Sequence, residues 1–335
     1  MFTPPLDTLV GGERLTTQLV DVEKKGDKYT FGFEKLGRWI TMCRRAGIKY
    51  FEMNHFFTQW GAEHAPKVMA TVDGEYKKIF GWETEAAGKE YTEFLHTFLD
   101  ALIPYLKSEG VDRDCFYHIS DEPQAHHLEN YSKARAVVSE KLKGYTIIDA
   151  LSKYEFYQNG VVDCPIPGSN HIVPFIENKV PGLSVYYCCS QNVNVSNRFV
   201  SMPGGRIRMI GAQMYKFDIA GFLHWGFNFW NSRYSIAPIN PFHELSGDYF
   251  TPAGDCFLVY PAQDGTAYNS LHCRQFCMAL EDHKALKLCE SLIGREATLA
   301  ALEEGAEGFD FVNYPMDEAY VLGMREKINA LIKNA

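Results

Sequence analysis

Short apolar runs alternate with longer amphipathic stretches along most of the 335-residue chain. Apolar runs of four to eight residues predict strands, and apolar positions three and four apart predict helices. The runs predict eight strands, at Thr17–Val22, Ile48–Asn54, Cys115–Ser120, Tyr145–Ile148, Val161–Ile166, Leu183–Cys188, Gly221–Phe227 and Cys256–Tyr260. Between them Phe33, Leu36, Ile40 and Cys43 recur at helical spacing before Gly47, as do Tyr91, Phe94, Leu95, Phe98, Leu102 and Leu106 before Gly110. Leu128, Tyr131, Val138 and Leu142 before Gly144 repeat the device, as does Leu271 to Ile293 before Gly294, and a last helix is expected near Asp317–Lys333. Glycine accepts the left-handed conformation that closes a helix, so each of these glycines reads as a stop.

Strands alternating with helices imply a parallel sheet, and eight strands are the number a closed barrel needs. The expected fold is therefore α/β, a (β/α)8 TIM-like barrel with long βα loops. It is expected to form a single domain over residues 1–335, with the helices from about 295 packing on the barrel. The long connections 55–88, 167–182 and 231–254 follow the second, fifth and seventh expected strands, on the side where such barrels carry their active sites.

Composition narrows the function classes. A hydrophobic fraction of 46% and a charged fraction of 22% suit a chain with a sizeable core. The formal charge of -9, with no long run of Lys and Arg, argues against a nucleic-acid partner. No apolar stretch is long enough to span a bilayer, so no membrane partner is expected. Met1 to Val10 lacks the charged start and apolar core of a signal peptide. The chain reads as cytoplasmic if it is complete and as exported if it is an excised domain. Nine cysteines, with no close CxxC pairs, read as reduced and mostly buried. The adjacent Cys188 and Cys189 allow a redox or metal reading and a packing one.

The sharpest chemical signal is His118-Ile119-Ser120-Asp121-Glu122-Pro123, an apolar strand ending in two consecutive acids and a proline. Adjacent side chains of a regular strand face opposite ways, so neighbouring acids converge only where the pleat ends. Proline ends it, and it biases Glu122 toward an extended conformation. Glycosidic cleavage needs one carboxyl group as proton donor and a second negative group to offset charge at the anomeric carbon. Asp121 and Glu122 supply both. The bland alternative makes Asp121 a helix cap and Glu122 a solvated acid, with His126 and His127 at the start of the next helix.

Sugar sites combine flat apolar faces with polar groups. Gly221 to Trp230 carries His224, Trp225, Asn228 and Trp230 in one aromatic segment, and Leu183 to Cys188 carries Tyr186 and Tyr187. Together with His55 and His118 these are the candidate substrate-binding residues. The histidines lack the spacing of a metal site, with no HExxH and no CxxC, so no metal is expected. Gly11-Gly12 and Gly204-Gly205 lack GxGxxG or Walker patterns, so no phosphate loop and no cofactor are expected.

Several segments together resemble the catalytic domain of glycoside hydrolase family 123, the β-N-acetylgalactosaminidases, and its related barrel proteins. They are FTQWGAEHAPKVMA (57–70), FGWET (80–84), HISDEP (118–123), SNRFVSMP (196–203), GFLHWGFNFW (221–230) and GDCFLVYP (254–261). The resemblance implies that Asp121-Glu122 is the catalytic pair of an exo-acting β-N-acetylhexosaminidase acting on a glycan or glycoconjugate. It implies substrate-assisted retaining hydrolysis, with Asp121 orienting the 2-acetamido group and Glu122 as general acid and base. Two other readings stay open: a glycan-binding barrel without turnover, and a hydrolase of non-acetamido sugars with Asp121 as nucleophile.

Overall fold

A computed structural model describes residues 1–7 and 15–335. Gly11 and Gly12, and the end of the N-terminal segment read above, lie outside the described residues. Those residues form two compact units, Met1–Pro165 and Ile166–Ala335, with the boundary inside a strand.

In chain order the first unit contains β1 (Phe2–Thr3), β2 (Asp21–Lys25), β3 (Lys28–Gly32), α1 (Glu34–Arg45), β4 (Phe51–His55), β5 (Val68–Val72) and β6 (Glu75–Phe80). There follow α2 (Lys89–Ser108), β7 (Cys115–His118), α3 (Leu128–Ser139), β8 (Thr146–Ala150), α4 (Tyr154–Gln158) and β9 (Cys164–Ile166). Five strands form one sheet in the order β1-β4-β7-β8-β9, and β1 with β4, β4 with β7 and β7 with β8 are parallel. This is the mixed α/β fold with a parallel sheet that the alternation predicts.

Three expectations change. The strand expected at Thr17–Val22 is displaced: the sheet place beside β4 is taken by Phe2–Thr3, paired with Glu52 and Met53. Two residues are too few to show a period, which is why the strand escapes a reading of pattern. The segment after it forms β2 of a separate mixed sheet, ordered β3-β2-β5-β6. The connection 55–88 accordingly contains the β5–β6 hairpin. That hairpin and β3 give α2 its partners, since Phe94 lies 5.1 Å from both Tyr29 and Phe80 between ring centroids.

The second unit contains α5 (Val173–Glu177), β10 (Ser184–Tyr186), α6 (Gly204–Lys216), β11 (Gly221–Leu223), β12 (Val259–Pro261) and β13 (Ala267–Asn269), followed by α7 (Leu271–Ile293), α8 (Arg295–Glu303) and α9 (Glu318–Asn334). β10 and β11 pair in parallel. The eighth expected strand, Cys256–Tyr260, is the third change: its ordered part, β12, pairs antiparallel with β13 and not as a member of a parallel sheet.

Helices α6 to α9 share a core built on Met209, Leu286, Leu302, Val321 and Ile328. A Cβ on Gly211 of α6 would sit 1.9 Å from the carbonyl oxygen of Ala279 in α7, so glycine there permits the close approach of the two helices. Gly204 and Gly205 open α6. Asp282, fully buried, ties α7 to its neighbours through Arg208 and Arg325, both at 2.8 Å. Among the described residues no disulfide forms, and no helix is long and apolar enough to cross a membrane.

Candidate active site

The parallel sheet continues past the formal end of β7, and this fixes the acid pair. Phe56 N–H donates to His118 O (3.2 Å), Phe57 N–H to Ile119 O (3.0 Å) and Trp60 N–H to Asp121 O (2.9 Å), all from the β4 side. From the other side, Glu122 N–H donates to Ala150 O at the end of β8 (2.9 Å). The peptide joining Asp121 to Glu122 is thus held at its carbonyl by one neighbour and at its N–H by the other. Ser120, fully buried, adds a side-chain bond from Oγ to Thr58 O at 2.7 Å. The pair stands at the carboxyl-terminal edge of the sheet, and His126 and His127 lie in the short turn that leads into α3.

Glu122 is not extended. Its φ is 46°, in the left-handed region. Proline disfavours the right-handed helical region for the residue before it, but the bond to Ala150 fixes where the N–H must point, and the chain leaves the sheet through a left-handed turn. A non-glycine residue there carries strain of about 1–3 kcal/mol, a kind that gathers at functional sites. Trp60, with φ 56°, is a second such residue on the adjoining loop, and its ring is exposed.

Asp121 is half-buried and accepts a hydrogen bond from Gln59 Nε2 at 2.9 Å. Burial raises its proton affinity, and the Gln59 bond and the charge of His118 oppose the rise. Behind the pair lies a buried polar cluster. His118 Nε2 is 2.9 Å from Glu52 Oε1, and Nδ1 is 3.2 Å from Asp149 Oδ1. Asp149 also accepts the Ile119 N–H at 3.2 Å and the Tyr131 hydroxyl. Burial works against a charged His118, but the two carboxylates outweigh it and lift its pKa to about 10. His55 meets the His118 ring edge to face, with centroids 4.7 Å apart. Its own pKa falls to about 4, through burial first and the neighbouring His118 cation second.

The second unit holds the other candidates. His224 is fixed in one tautomer: Gly226 N–H donates to Nδ1 (3.0 Å), so Nε2 carries the proton toward Asp255 Oδ1 (3.1 Å). Burial and then Arg198 depress its pKa to about 4. Asp255 Oδ2 accepts Trp225 Nε1–H at 2.8 Å, which leaves the Trp225 ring 41% exposed on a fixed tether. Arg198, buried, donates to the carbonyls of Gly226 and Asp255, and so holds the segment that carries His224 and Trp225. Trp230 is half-buried, with Nε1 donating to Val259 O at 3.0 Å. Asn228 is exposed and bridges Phe257.

Tyr186 and Tyr187 are both buried, and Tyr187 packs against Phe222 (4.7 Å) and His224 (5.5 Å). Within the first unit, then, the structure gathers His55, His118, Asp121 and Glu122 on one sheet edge. Within the second it gathers Tyr187, His224 and Trp225.

Sequence reading passed over Gln59, Glu52, Asp149 and Tyr131 in the first unit and Arg198 and Asp255 in the second. Asp149 carries a legible signal, a lone acid at the end of an apolar strand. Gln59 and Arg198 lie in segments that carry the family resemblance but show no chemical pattern. Among the described residues no three His, Cys, Asp or Glu side chains are arranged to hold a metal ion.

The fold and this edge define an α/β protein with a parallel sheet and a clamped acid pair at its carboxyl-terminal side. The chain belongs to the glycoside hydrolase 123 family, whose catalytic-domain model matches residues 1–289. A family 123 glycoside hydrolase from Clostridium perfringens, whose structure was determined in a study of glycolipid glycan hydrolysis, is similar to it in fold. The TM-score is 0.67 at 13% identity over 99% of this chain, which spans 60% of the Clostridium perfringens chain. An FMN-binding beta-glucuronidase from Facaelibacterium prausnitzii L2-6 aligns at 11% identity over 83% of this chain and 46% of its own, with a TM-score of 0.38. No curated protein matches the chain.

Proposed function

We propose that this chain is the catalytic part of an exo-acting β-N-acetylhexosaminidase that prefers N-acetylgalactosamine and works by substrate-assisted, retaining hydrolysis. The observation that carries the reading is the peptide between Asp121 and Glu122, bonded to Trp60 on one side and Ala150 on the other. Two carboxyl groups on one fixed peptide at the carboxyl-terminal edge of a parallel sheet suit a reaction that needs a proton donor and a stabilising anion together. The reading includes the closed (β/α)8 barrel expected from the sequence, supported by the parallel strand order and family membership.

In this scheme the oxygen of the substrate's 2-acetamido group attacks the anomeric carbon. Asp121 orients that group and offsets the positive charge growing on its nitrogen. Glu122 gives its proton to the leaving oxygen as the glycosidic bond breaks, and an oxazolinium ion forms, its N–H retained and facing the Asp121 carboxylate. The Glu122 carboxylate then takes a proton from the water that opens the oxazolinium ion, which restores the acetamido group and the β configuration. Trp225 and Trp230 serve as stacking faces, with His55, His224 and Asn228 as further substrate contacts, while Tyr186 and Tyr187, both buried, support the fold, Tyr187 by packing against His224. A glycolipid glycan ending in N-acetylgalactosamine is the natural substrate class to try first, since the Clostridium perfringens structure was determined in a study of glycolipid glycan hydrolysis.

Aryl β-glycosides with and without a 2-acetamido group test the proposal. Turnover only of the acetamido series, with the β anomer seen first by NMR, is expected. Equal turnover of both series, or a glycosyl ester trapped on Asp121, would reject neighbouring-group participation.

A further inference from the structure

We propose that His118 is an imidazolium at neutral pH whose positive charge favours the ionised form of Asp121, which makes it a positioning residue of the site. The inference rests on the reading of Asp121 as the anion that faces the substrate.

The geometry argues for a cation. Each ring nitrogen of His118 lies close to a carboxylate: Nδ1 hydrogen-bonds Asp149 of β8 at 3.2 Å, and Nε2 is 2.9 Å from Glu52 Oε1 of β4, a charge contact whose angles do not make a hydrogen bond. A neutral imidazole has one N–H and would leave one carboxylate facing a lone pair. The ring is 1% exposed, so water cannot make up the deficit. The other polar groups around the cluster fit the same assignment. Tyr131 from α3 donates to Asp149, His55 from β4 stays neutral beside the cation, and Gln59 donates to Asp121. With His118 charged, Glu52, Asp149 and Asp121 share one counter-charge. The charges of Asp149 and Glu52 raise the proton affinity of Asp121 and that of His118 lowers it, so a neutral group at 118 would leave only the raising charges. Like charges in a buried cluster raise one another's proton affinity, and a cation lowers it.

The roles of the neighbours therefore have opposite signs. His118→Gln removes the cation and should move the Asp121 titration up by about one unit or more, a tenfold gain in proton affinity. Glu52→Gln removes a competing anion, and Asp149 still keeps His118 charged, so the same titration should move down. A packing role for His118 predicts no such reversal.

The experiment reads charge directly and needs no turnover. Nitrogen NMR of the intact chain should show both His118 ring nitrogens protonated near neutral pH. Carbon NMR of the Asp121 carboxyl group should give midpoints in the order His118→Gln, parent, Glu52→Gln, from highest to lowest. A neutral His118, or a midpoint that neither substitution moves, would overturn the proposal, and if His118→Gln does not fold, the parent and Glu52→Gln still decide it. Midpoints in the expected order with no matching shift in the acid limb of kcat/KM would support the charge assignment and count instead against Asp121's role in turnover.

Discussion

Gln59 Nε2 donates to Asp121 Oδ2 at 2.9 Å across a separation of 62 residues in the chain. The next residue, Trp60, donates its backbone N–H to the carbonyl of the same aspartate. One loop therefore grips Asp121 by side chain and backbone together. Replacing Gln59 by leucine removes the side-chain grip alone. A hydrogen bond to a charged group is worth about 1.5–3 kcal/mol, so kcat/KM should fall roughly tenfold to hundredfold while the unfolding midpoint scarcely moves. Parent-like rates for Gln59→Leu would remove Gln59 from the site.

The acid pair should fail in two different ways. Glu122→Gln deletes the proton donor, so substrates with poor leaving groups should slow by about 10² to 10⁴, and activated aryl glycosides by much less. Asp121→Asn leaves the acetamido group badly oriented, so both kinds should slow. Matching losses across leaving groups for the two variants would contradict the division of labour.

Three histidines shape the dependence of stability on pH. His118, with its folded pKa raised to about 10, stabilises the fold fully below the unfolded value of about 6.5. That contribution is lost as pH rises through 10. His55 and His224, lowered to about 4, contribute fully above about 6.5 and lose their share as pH falls through 4. Urea midpoints should therefore peak near neutral pH. His118→Gln should flatten the alkaline side, and His224→Gln the acid side. An alkaline limb unchanged in His118→Gln would show that the histidine is neutral in the native state.

Asp255 accepts both Trp225 Nε1–H and His224 Nε2–H, one on each oxygen. Asn at 255 has a single acceptor oxygen and must turn an NH2 group toward one of the two donors. A cost of roughly 1.5–3 kcal/mol in unfolding free energy is expected, with a changed near-ultraviolet signal from the loosened tryptophan. Denaturation curves that superimpose on the parent would show that Trp225 is held by packing alone.

Chain order alone determined the helices that stop before Gly47, Gly110 and Gly294, since periodic apolar faces and glycine stops are local signals, whereas the helix read as running to Gly144 ends at Ser139. It also located the acid pair, because two acids and a proline after an apolar run mark a strand's end wherever that strand lies. Tertiary structure decided what those acids touch. Phe2–Thr3 becomes a strand only because β4 offers it a partner edge. Glu122 turns left-handed because Ala150, 28 residues away, takes its N–H.

The charge on His118 depends on Glu52 and Asp149, which no motif connects to it. Hydrogen bonds and burial act through distance in space. Residues far apart in the chain set the backbone angle and the proton affinity of a site whose members the sequence could only name.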